Sequence, residues 1–403
     1  MQLTFQNKEK LLTNLFQAYF DARKNKRNTI NALAFEKHLE TNIFKLYDEI
    51  VNYNYIPKRS ICFIVNKPVK REIFAADFRD RVVHHLIYNY ISPIFDKTFI
   101  NDSYSCRIGK GTHYGIKRID HFIRSCSQNY SKNCFILKLD IKGYFMAMNK
   151  NILKQKIFKT LKEKKHLIDF DLQLTQYLIK QTLFANPIEN CIIKGHKSDW
   201  KDLPKDKSLF SAKPNCGLPI GNLTSQLFGN IYMNDFDHFV KKEYNIKNYG
   251  RYVDDFILIH KSKDYLKSLI KKLSTFLLKS LKLVLHPKKI YLQHYSKGVK
   301  YLGAVIKPHR IYISNRTKGN FYKAITKQNQ LIQDKCPSHD DFINFMSSIN
   351  SYLGIMKHYK TFKIRKDFIS NHLYRRWWEY VFYTGRINTI SLKSKYDIKH
   401  KFI

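Results

Sequence analysis

The chain has 403 residues and a hydrophobic fraction of 44%, so it is long enough for one large domain or two to three smaller ones. Lysine and arginine number 72 against 32 aspartates and glutamates, a formal net charge of +40 that is spread along the whole chain. A compact fold with this charge repels itself unless a polyanion is usually present, so the composition favours a nucleic-acid partner.

The cysteines argue against a zinc protein, and the hydropathy pattern argues against a membrane protein. The seven cysteines form no CxxC pair and have no histidine at metal-ligand spacing, so we expect no zinc site. No apolar run approaches the roughly 20 residues of a membrane span, and no apolar leader opens the sequence. We therefore expect a cytoplasmic protein without a membrane partner.

The first third of the chain changes from helical to strand-like patterns. Residues 8–52 have a helical period. Residues 53–130 alternate short β-like runs with basic residues, and Gly109 and Gly111 bracket Lys110 in a loop before a helix. Such a loop can hold a phosphate through backbone N–H groups, but two glycines are a weak signal, and their spacing is not that of a Walker A loop.

The middle of the chain carries two segments suited to ligands. In "FILKLDIKGYF", residues 135–145, apolar and polar residues alternate as in a strand, and Asp140 falls at its end. Strand ends hold ligands in many sheets, although a single aspartate there is more often a helix cap. Residues 186–212 contain a polar stretch that we expect to be an exposed insertion. "GLPIGNLTSQ", residues 217–226, then leads into a helix and suits a close backbone approach to a nucleotide.

"RYVDDFILIH", residues 251–260, places Asp254 and Asp255 inside a pattern that otherwise reads as a buried strand. Because burying unpaired carboxylates is costly, we expect Asp254 and Asp255 at the tip of a β-hairpin. Asp140 can then stand on a neighbouring strand of the same layer. For the pair alone, a polar hairpin tip is the simpler interpretation. The order of basic region, Asp140, glycine-rich loop and hairpin favours instead carboxylates that bind two Mg²⁺ ions.

These segments in this order resemble a reverse transcriptase. Its motifs A to E match "LKLDIKGYF", "GLPIGNLTSQ", "YVDD", "LHPKKI" and "GVKYLGAVI", and the resemblance covers most of residues 55–310. It implies an α+β right-hand polymerase with an antiparallel palm sheet and a helical thumb, and it implies RNA-directed DNA synthesis. The implied regions are N-terminal helices at 1–52, fingers at 53–130, a palm at 131–310 with an insertion at about 186–212, and a thumb with basic C-terminal helices at 311–403.

The resemblance also assigns residues. Asp140, Asp254 and Asp255 match the catalytic aspartates that, with the backbone of Ile141, would hold two Mg²⁺ ions, for which Mn²⁺ can substitute. Lys289 matches a lysine that protonates pyrophosphate, with Lys288 as a competitor. Phe145 matches a steric gate against the ribose 2′-hydroxyl, the alternative being an ordinary core phenylalanine. The other nucleotide-binding candidates are Arg71, Arg79, Ile220, Gly221 and Gln226, and the nucleic-acid-binding candidates are Arg107, Lys110, Lys357, Lys360 and Arg365.

For these basic residues a solvated surface charge is the alternative, because lysine and arginine are so frequent in this chain. Codon bias in an AT-rich genome also raises the lysine count, although it does not explain why acids are few. Trp377 and Trp378, in the basic and aromatic C-terminal helices, are expected in the core rather than as stacking platforms.

Within the family, the sequence is most similar to the reverse transcriptases of diversity-generating retroelements, which are bacterial or phage-encoded. Ile220 and Gln226 stand where many bacterial relatives carry glutamine and proline. The resemblance implies a structured or template-repeat RNA copied with errors opposite adenine, a cDNA or DNA primer, dNTPs and a basic accessory protein. Two alternatives remain: a phage-defence enzyme that makes cDNA from a noncoding RNA, and a non-catalytic RNA-binding protein on a polymerase scaffold.

Overall fold

The structure is a computed structural model that describes residues 5–24, 26, 28–66, 69–333 and 336–396. In these ranges the helices are α1 (Phe5–Arg23), α2 (Ile30–Glu36), α3 (Leu39–Val51), α4 (Phe78–Asp96), α5 (Thr112–Cys126), α6 (Tyr144–Ala147), α7 (Lys150–Glu163), α8 (Leu172–Phe184), α9 (Leu223–Lys242), α10 (Lys263–Leu281), α11 (Asn315–Gln333), α12 (His339–Met356) and α13 (Phe362–Asp367). The strands are β1 (Ile61–Val65), β2 (Arg71–Ala75), β3 (Phe135–Asp140), β4 (Ile192–Ile193), β5 (Tyr249–Tyr252), β6 (Asp255–His260), β7 (Tyr291–His294), β8 (Val299–Tyr301), β9 (Ala304–Lys307), β10 (Arg310–Ile313), β11 (Val381–Thr384) and β12 (Thr389–Leu392). The expected α+β class is confirmed.

The described residues form two compact units. One contains the described residues of 1–111 and 137–292, and the other contains residues 112–136 and the described residues after 292. Helix α5 thus belongs with the C-terminal part of the chain rather than with the residues that precede it. The limits expected for fingers, palm and thumb stay predictions.

In the first unit, a four-stranded sheet with the order β5-β6-β3-β7 positions the candidate site. Strands β5 and β6 form an antiparallel hairpin in which Tyr252 pairs with Asp255. Helix α10 covers the apolar side through leucines at helical spacing, all of them buried: Leu266, Leu269, Leu273 and Leu277. The aspartates therefore lie at the edge of a well-packed layer, with β6 directly beside β3.

The N-terminal region is helical, as its period predicts. The described part of residues 8–52 contains three helices, with α2 ending at Glu36 and α3 beginning at Leu39. Most of the insertion is exposed, as expected, and so are both residues of β4, but the insertion also makes specific contacts with the rest of the unit. Its strand β4 pairs in parallel with β1, which itself pairs antiparallel with β2. Farther along the insertion, Leu209 is 5% exposed and packs with Cys62 and Phe74.

The second unit contains the sheet β10-β9-β8, the hairpin β11-β12 and the C-terminal helices. Its hydrophobic core surrounds Trp377, which is fully buried and stacks on Phe345 with ring centroids 3.9 Å apart. Trp378 is half-buried against the same core, so both tryptophans pack in the interior as expected. The segment around them is not the expected helix, because Arg375–Glu379 is a short 3-10 helix that leads into β11. None of the helices in the described ranges combines the length and apolar composition that a bilayer crossing requires.

Candidate active site

Backbone hydrogen bonds bring three of the sequence motifs together at the end of β3. The N–H of His286 donates to the carbonyl of Asp140 at 2.8 Å, which holds the "LHPKKI" segment against this strand. The N–H of Ile141 donates to the carbonyl of Asp254 at 3.3 Å, which joins β3 to the tip of the β5–β6 hairpin. Asp140 and Asp254 are therefore neighbours although more than a hundred residues separate them, as the sequence predicts.

The hairpin tip has an unusual backbone. Val253 and Asp254 form its two-residue loop, and Val253 has a φ of +57° whereas Asp254 does not have a positive φ. A positive φ at the first loop position is typical of a type II′ turn, where glycine is the preferred residue. A β-branched residue in this region is strained by on the order of 1–3 kcal/mol. The surrounding structure has to stabilise the turn that presents Asp254.

A buried ion pair provides that support. Arg251 and Asp237 are both fully buried, and the guanidinium donates from Nε to Oδ1 at 2.7 Å and from Nη2 to Oδ2 at 2.6 Å. The remaining amino group, Nη1, donates to the carbonyl of Val253 at 3.0 Å. This bidentate pair links α9 to the strained residue of the turn, because planar guanidinium and carboxylate groups fix each other's orientation.

Two lysines hold the carboxylates of the candidate site. The Nζ atom of Lys289 lies 2.9 Å from both carboxylate oxygens of Asp140, and that of Lys138 lies 3.0 Å from Oδ2 of Asp255. Burial, and then the negative charge of Asp140, raise the pKa of Asp254 to about 6. Burial also raises the pKa of Asp255, and Lys138 opposes this shift. The negative charge of the three aspartates is therefore not fully compensated by the two lysines.

The donors fit a divalent cation such as Mg²⁺, which prefers carboxylate and carbonyl oxygens. Oδ1 of Asp255 is buried without a hydrogen-bond partner, so it is an acceptor that a cation could satisfy. Within the described ranges, however, no three acidic, histidine or cysteine side chains are already gathered in a metal-holding arrangement. Lys289 and Lys138 engage two of the aspartates, so the carboxylates are close together but not preassembled around an ion.

Two of the nucleotide-binding candidates pack against one small apolar cluster. Phe145, on α6, and Ile220 are half-buried and pack against the same residues, while the carbonyl of Ile220 accepts from the N–H of Phe74 at 2.9 Å. Gly221 has a φ of +125°, and a Cβ there would lie 2.8 Å from the carbonyl oxygen of Phe74. This contact with β2 requires glycine. Gln226 is exposed on α9.

Arg71 is exposed on β2, and Arg79 is not. The charge of Arg71 opposes the rise that burial causes in the pKa of Tyr252, a residue of the hairpin. Arg79 is 6% exposed, and its guanidinium forms ion pairs with Glu49 and Asp80. Its donors are already used in the interior, so a nucleotide-binding role for Arg79 requires these ion pairs to open.

Two nucleic-acid-binding candidates are also structural. Arg107 donates to both carboxylate oxygens of Asp96, at 2.6 and 3.2 Å, and its side chain is 8% exposed. Arg365 is 5% exposed and donates to the carbonyl of Ile387 and to Oδ1 of Asn388. Burial lowers the pKa of Arg365. Both guanidinium groups are used in contacts within the protein, so a phosphate-binding role for either residue requires these contacts to open.

The three lysine candidates are more accessible. Lys357 and Lys360 are exposed at the end of α12 and just after it. Lys110 is half-buried, and its Nζ atom donates to the carbonyl and the side-chain oxygen of Asn101 at 3.0 and 2.6 Å. Lys357 and Lys360 therefore remain the best nucleic-acid-binding candidates of this set.

The arrangement of the motifs is that of a known family. Residues 56–306 match the family described as "Reverse transcriptase (RNA-dependent DNA polymerase)". The chain belongs to this reverse transcriptase family. The predicted family and its enzyme class are confirmed, and members of this family generally use divalent metal ions.

Individual relatives are distant. The reverse transcriptase is 22% identical to "Protein YkfC" of Escherichia coli (strain K12) over 308 residues, which are 68% of this chain and 73% of that protein. An apo telomerase from Candida tropicalis has 14% identity and a TM-score of 0.45, with 80% of this chain and 60% of that chain covered. A telomerase from Candida albicans with a fragment of telomeric RNA has 13% identity and a TM-score of 0.42, with 81% and 60% covered. The chain thus spans about 60% of these telomerase chains.

Sequence reasoning missed the residues that support the aspartates. Lys138 lies two residues before Asp140, on the same face of β3, and this spacing could have identified it as a neighbour. Arg251 directly precedes the "YVDD" motif, but nothing local indicates that its partner is Asp237. The buried Glu72 on β2 was also missed, since its partners lie in the insertion.

Proposed function

We propose that this protein copies an RNA template into cDNA by two-metal nucleotidyl transfer at Asp140, Asp254 and Asp255. The observation that carries this proposal is the proximity of the three carboxylates, which come from β3 and from the β5–β6 hairpin, in a chain of the reverse transcriptase family. The raised pKa of Asp254 and the unpartnered oxygen of Asp255 support it, because both indicate a site that favours an added cation.

The side chains have distinct roles in this proposal. The three aspartates and the backbone of Ile141 would hold two Mg²⁺ ions, or Mn²⁺ in their place, which activate the primer 3′-hydroxyl and stabilise the leaving pyrophosphate. Lys289 is placed at Asp140, where its ammonium can donate a proton to that pyrophosphate. Arg71 can bind the triphosphate near the hairpin. Phe145 excludes a ribose 2′-hydroxyl by close contact.

The net charge of +40 supports the proposed partners. An RNA template and a cDNA or DNA primer are polyanions, and exposed lysines such as Lys357 and Lys360 can contact their phosphates. The dNTP substrates are anionic as well. A basic accessory protein and a cytoplasmic location complete the proposal, and they rest on the resemblance to diversity-generating retroelements.

Primer extension tests the activity. The protein is given a defined RNA template, a DNA primer, dNTPs and Mg²⁺, and Asp255→Asn is compared with Asp264→Asn, an exposed aspartate in the first turn of α10. We expect template-directed extension by the wild type and by Asp264→Asn, with extension lost in Asp255→Asn. Unchanged extension by Asp255→Asn would contradict the proposed site, and RNA binding without extension by any form would favour the non-catalytic alternative.

The finer proposal is the error-prone enzyme of a diversity-generating retroelement. Ile220 supports it, because its side chain packs in an apolar cluster and cannot offer a hydrogen bond to the template or the nucleotide. Sequencing cDNA made from a defined RNA tests this. Frequent misincorporation opposite template adenine that falls in Ile220→Gln supports diversity generation. An accurate copy, or an error rate that Ile220→Gln leaves unchanged, contradicts it and favours the phage-defence alternative.

A further inference from the structure

The insertion, residues 186–212, is joined to the β1–β2 hairpin by backbone hydrogen bonds. The N–H of Ile192 donates to the carbonyl of Ser60, and the N–H of Lys194 donates to the carbonyl of Cys62, both at 2.8 Å. Strand β4 thereby extends the hairpin to a three-stranded sheet. The insertion is part of the structure that carries Arg71, rather than a loop lying over it.

A buried carboxylate joins the rest of the insertion to the same hairpin. Glu72 on β2 is 1% exposed, and its Oε2 atom accepts from Nε1 of Trp200 at 2.7 Å and from Oγ of Ser208 at 2.8 Å. Its Oε1 atom accepts from the N–H of Leu209 at 2.6 Å. All three donors belong to the insertion. Because a buried carboxylate is costly without such donors, the conformations of Glu72 and of the insertion depend on each other.

The insertion also contacts residues that are candidates for nucleotide binding. A Cβ on Gly143, at the start of α6, would lie 2.8 Å from the backbone oxygen of Asp206, so the insertion touches the turn that carries Phe145. Leu209 belongs to the cluster against which Phe145 and Ile220 pack. The full cluster, with its partly buried members, is Cys62, Phe74, Phe145, Met146, Ile188, Cys191, Trp200, Leu209, Ala212 and Ile220.

We propose that the insertion positions Phe145 and Ile220 and thereby sets the preference for deoxyribonucleotides over ribonucleotides. The proposal rests on the proposed function, in which Phe145 is the steric gate. Rejection of one added oxygen depends on close contact, so a small displacement of the ring admits the ribonucleotide. Glu72, Trp200 and Leu209 are positioning residues in this scheme, since they act through the cluster and need not touch the nucleotide.

Two variants perturb the insertion to different degrees. Leu209→Ala removes its main apolar contact with the cluster, and Trp200→Phe keeps an aromatic ring but removes the donor to Glu72. Leu273→Ala is the matched control, because Leu273 is an equally buried leucine on α10 that is not a member of this cluster. Leu209→Met, which restores most of the side-chain volume, tests for rescue. Phe145→Ala reports on the gate itself.

The measurement is the ratio of kcat/KM for dGTP to that for GTP in single-nucleotide extension on an RNA template. We expect the ratio to fall about 10-fold in Leu209→Ala and about threefold in Trp200→Phe, with Leu209→Met and Leu273→Ala close to the wild type. If Leu209→Ala does not fold, the ratio measured for Trp200→Phe tests the proposal alone. An unchanged ratio in the insertion variants, or an equal fall in Leu273→Ala, overturns the proposal. Two results would instead show that the proposed function itself fails: no primer extension by the wild type, or an unchanged ratio in Phe145→Ala. Either result overturns the positioning role as well.

Discussion

At the scale of single residues, the adjacent aspartates of "YVDD" occupy different environments. Asp255 begins β6 and pairs with Lys138 at 3.0 Å, whereas Asp254 lies in the turn and is influenced mainly by burial and by the charge of Asp140. The pKa of Asp254 is raised to about 6, so folding disfavours its charged form. The protein tolerates this cost at the position where the proposed function needs a charge.

The first prediction concerns stability against pH in the absence of metal. Because the folded pKa of Asp254 is about 6, above its usual value, its contribution to stability is present at low pH and is lost as pH rises through 6. Asp254→Asn removes this titration. At pH 7.5 we expect the free energy of unfolding of the variant to exceed that of the wild type by up to about 3 kcal/mol, with the difference disappearing near pH 4.

Urea unfolding at a series of pH values, with a chelator present, measures this difference. Asp264→Asn is the control, since this exposed aspartate should leave the pH dependence unchanged. A stability difference between Asp254→Asn and the wild type that stays constant from pH 4 to 7.5 would show that the environment of Asp254 is not the one described.

At the scale of secondary-structure elements, the hairpin depends on a buried ion pair between α9 and β5. Arg251 donates to Asp237 through two nitrogens and to the carbonyl of Val253 through the third. Val253 has a positive φ that a β-branched residue adopts only under constraint. The pair therefore has two functions. The two buried charges stabilise each other, and Arg251 also fixes the turn that presents Asp254.

The second prediction separates these two functions. Arg251→Ala leaves the buried carboxylate of Asp237 with the Tyr249 hydroxyl as a donor but without its charged partner, and we expect the free energy of unfolding to fall by about 3–5 kcal/mol. The double variant Arg251→Met/Asp237→Leu removes both charges and should recover much of that stability. Its primer-extension rate should stay low, because the carbonyl of Val253 still lacks its donor. Full recovery of both stability and rate in the double variant would argue against a role in positioning the turn.

The elements also show what sequence patterns can and cannot predict. The end of β3 at Asp140 and the hairpin tip could be predicted because alternation and turn chemistry are local signals. The interior contacts of Arg79, Arg107 and Arg365 could not be predicted, because one sequence does not reveal which of 72 lysines and arginines have buried partners. Glu72 meets donors more than 120 residues away, and that pairing depends on tertiary packing.

At the scale of the whole molecule, the charge of +40 makes nucleic-acid binding dependent on salt. The third prediction is that affinity for single-stranded RNA falls steeply with NaCl, and that Lys357→Gln/Lys360→Gln reduces the slope of log Kd against log salt by about 1 to 2. Lys261→Gln/Lys263→Gln, at two exposed lysines near the start of α10, is the control and should leave the slope close to the wild type.

Fluorescence anisotropy with a labelled RNA gives these slopes. Arg365→Gln should behave differently from the lysine variants: it should lower the thermal stability without a change in slope, because its guanidinium is used in the interior. Equal changes in slope for both lysine pairs would show that the end of α12 has no special place in RNA binding.

The central claim is that Asp140, Asp254 and Asp255 form the site of RNA-templated DNA synthesis. Single-nucleotide incorporation and RNA affinity, measured together for Asp254→Asn and the wild type, test it most directly. We expect a fall in incorporation rate of at least about 1,000-fold, with RNA affinity unchanged within about twofold. Incorporation by Asp254→Asn at the wild-type rate, with the same affinity for RNA, would contradict it.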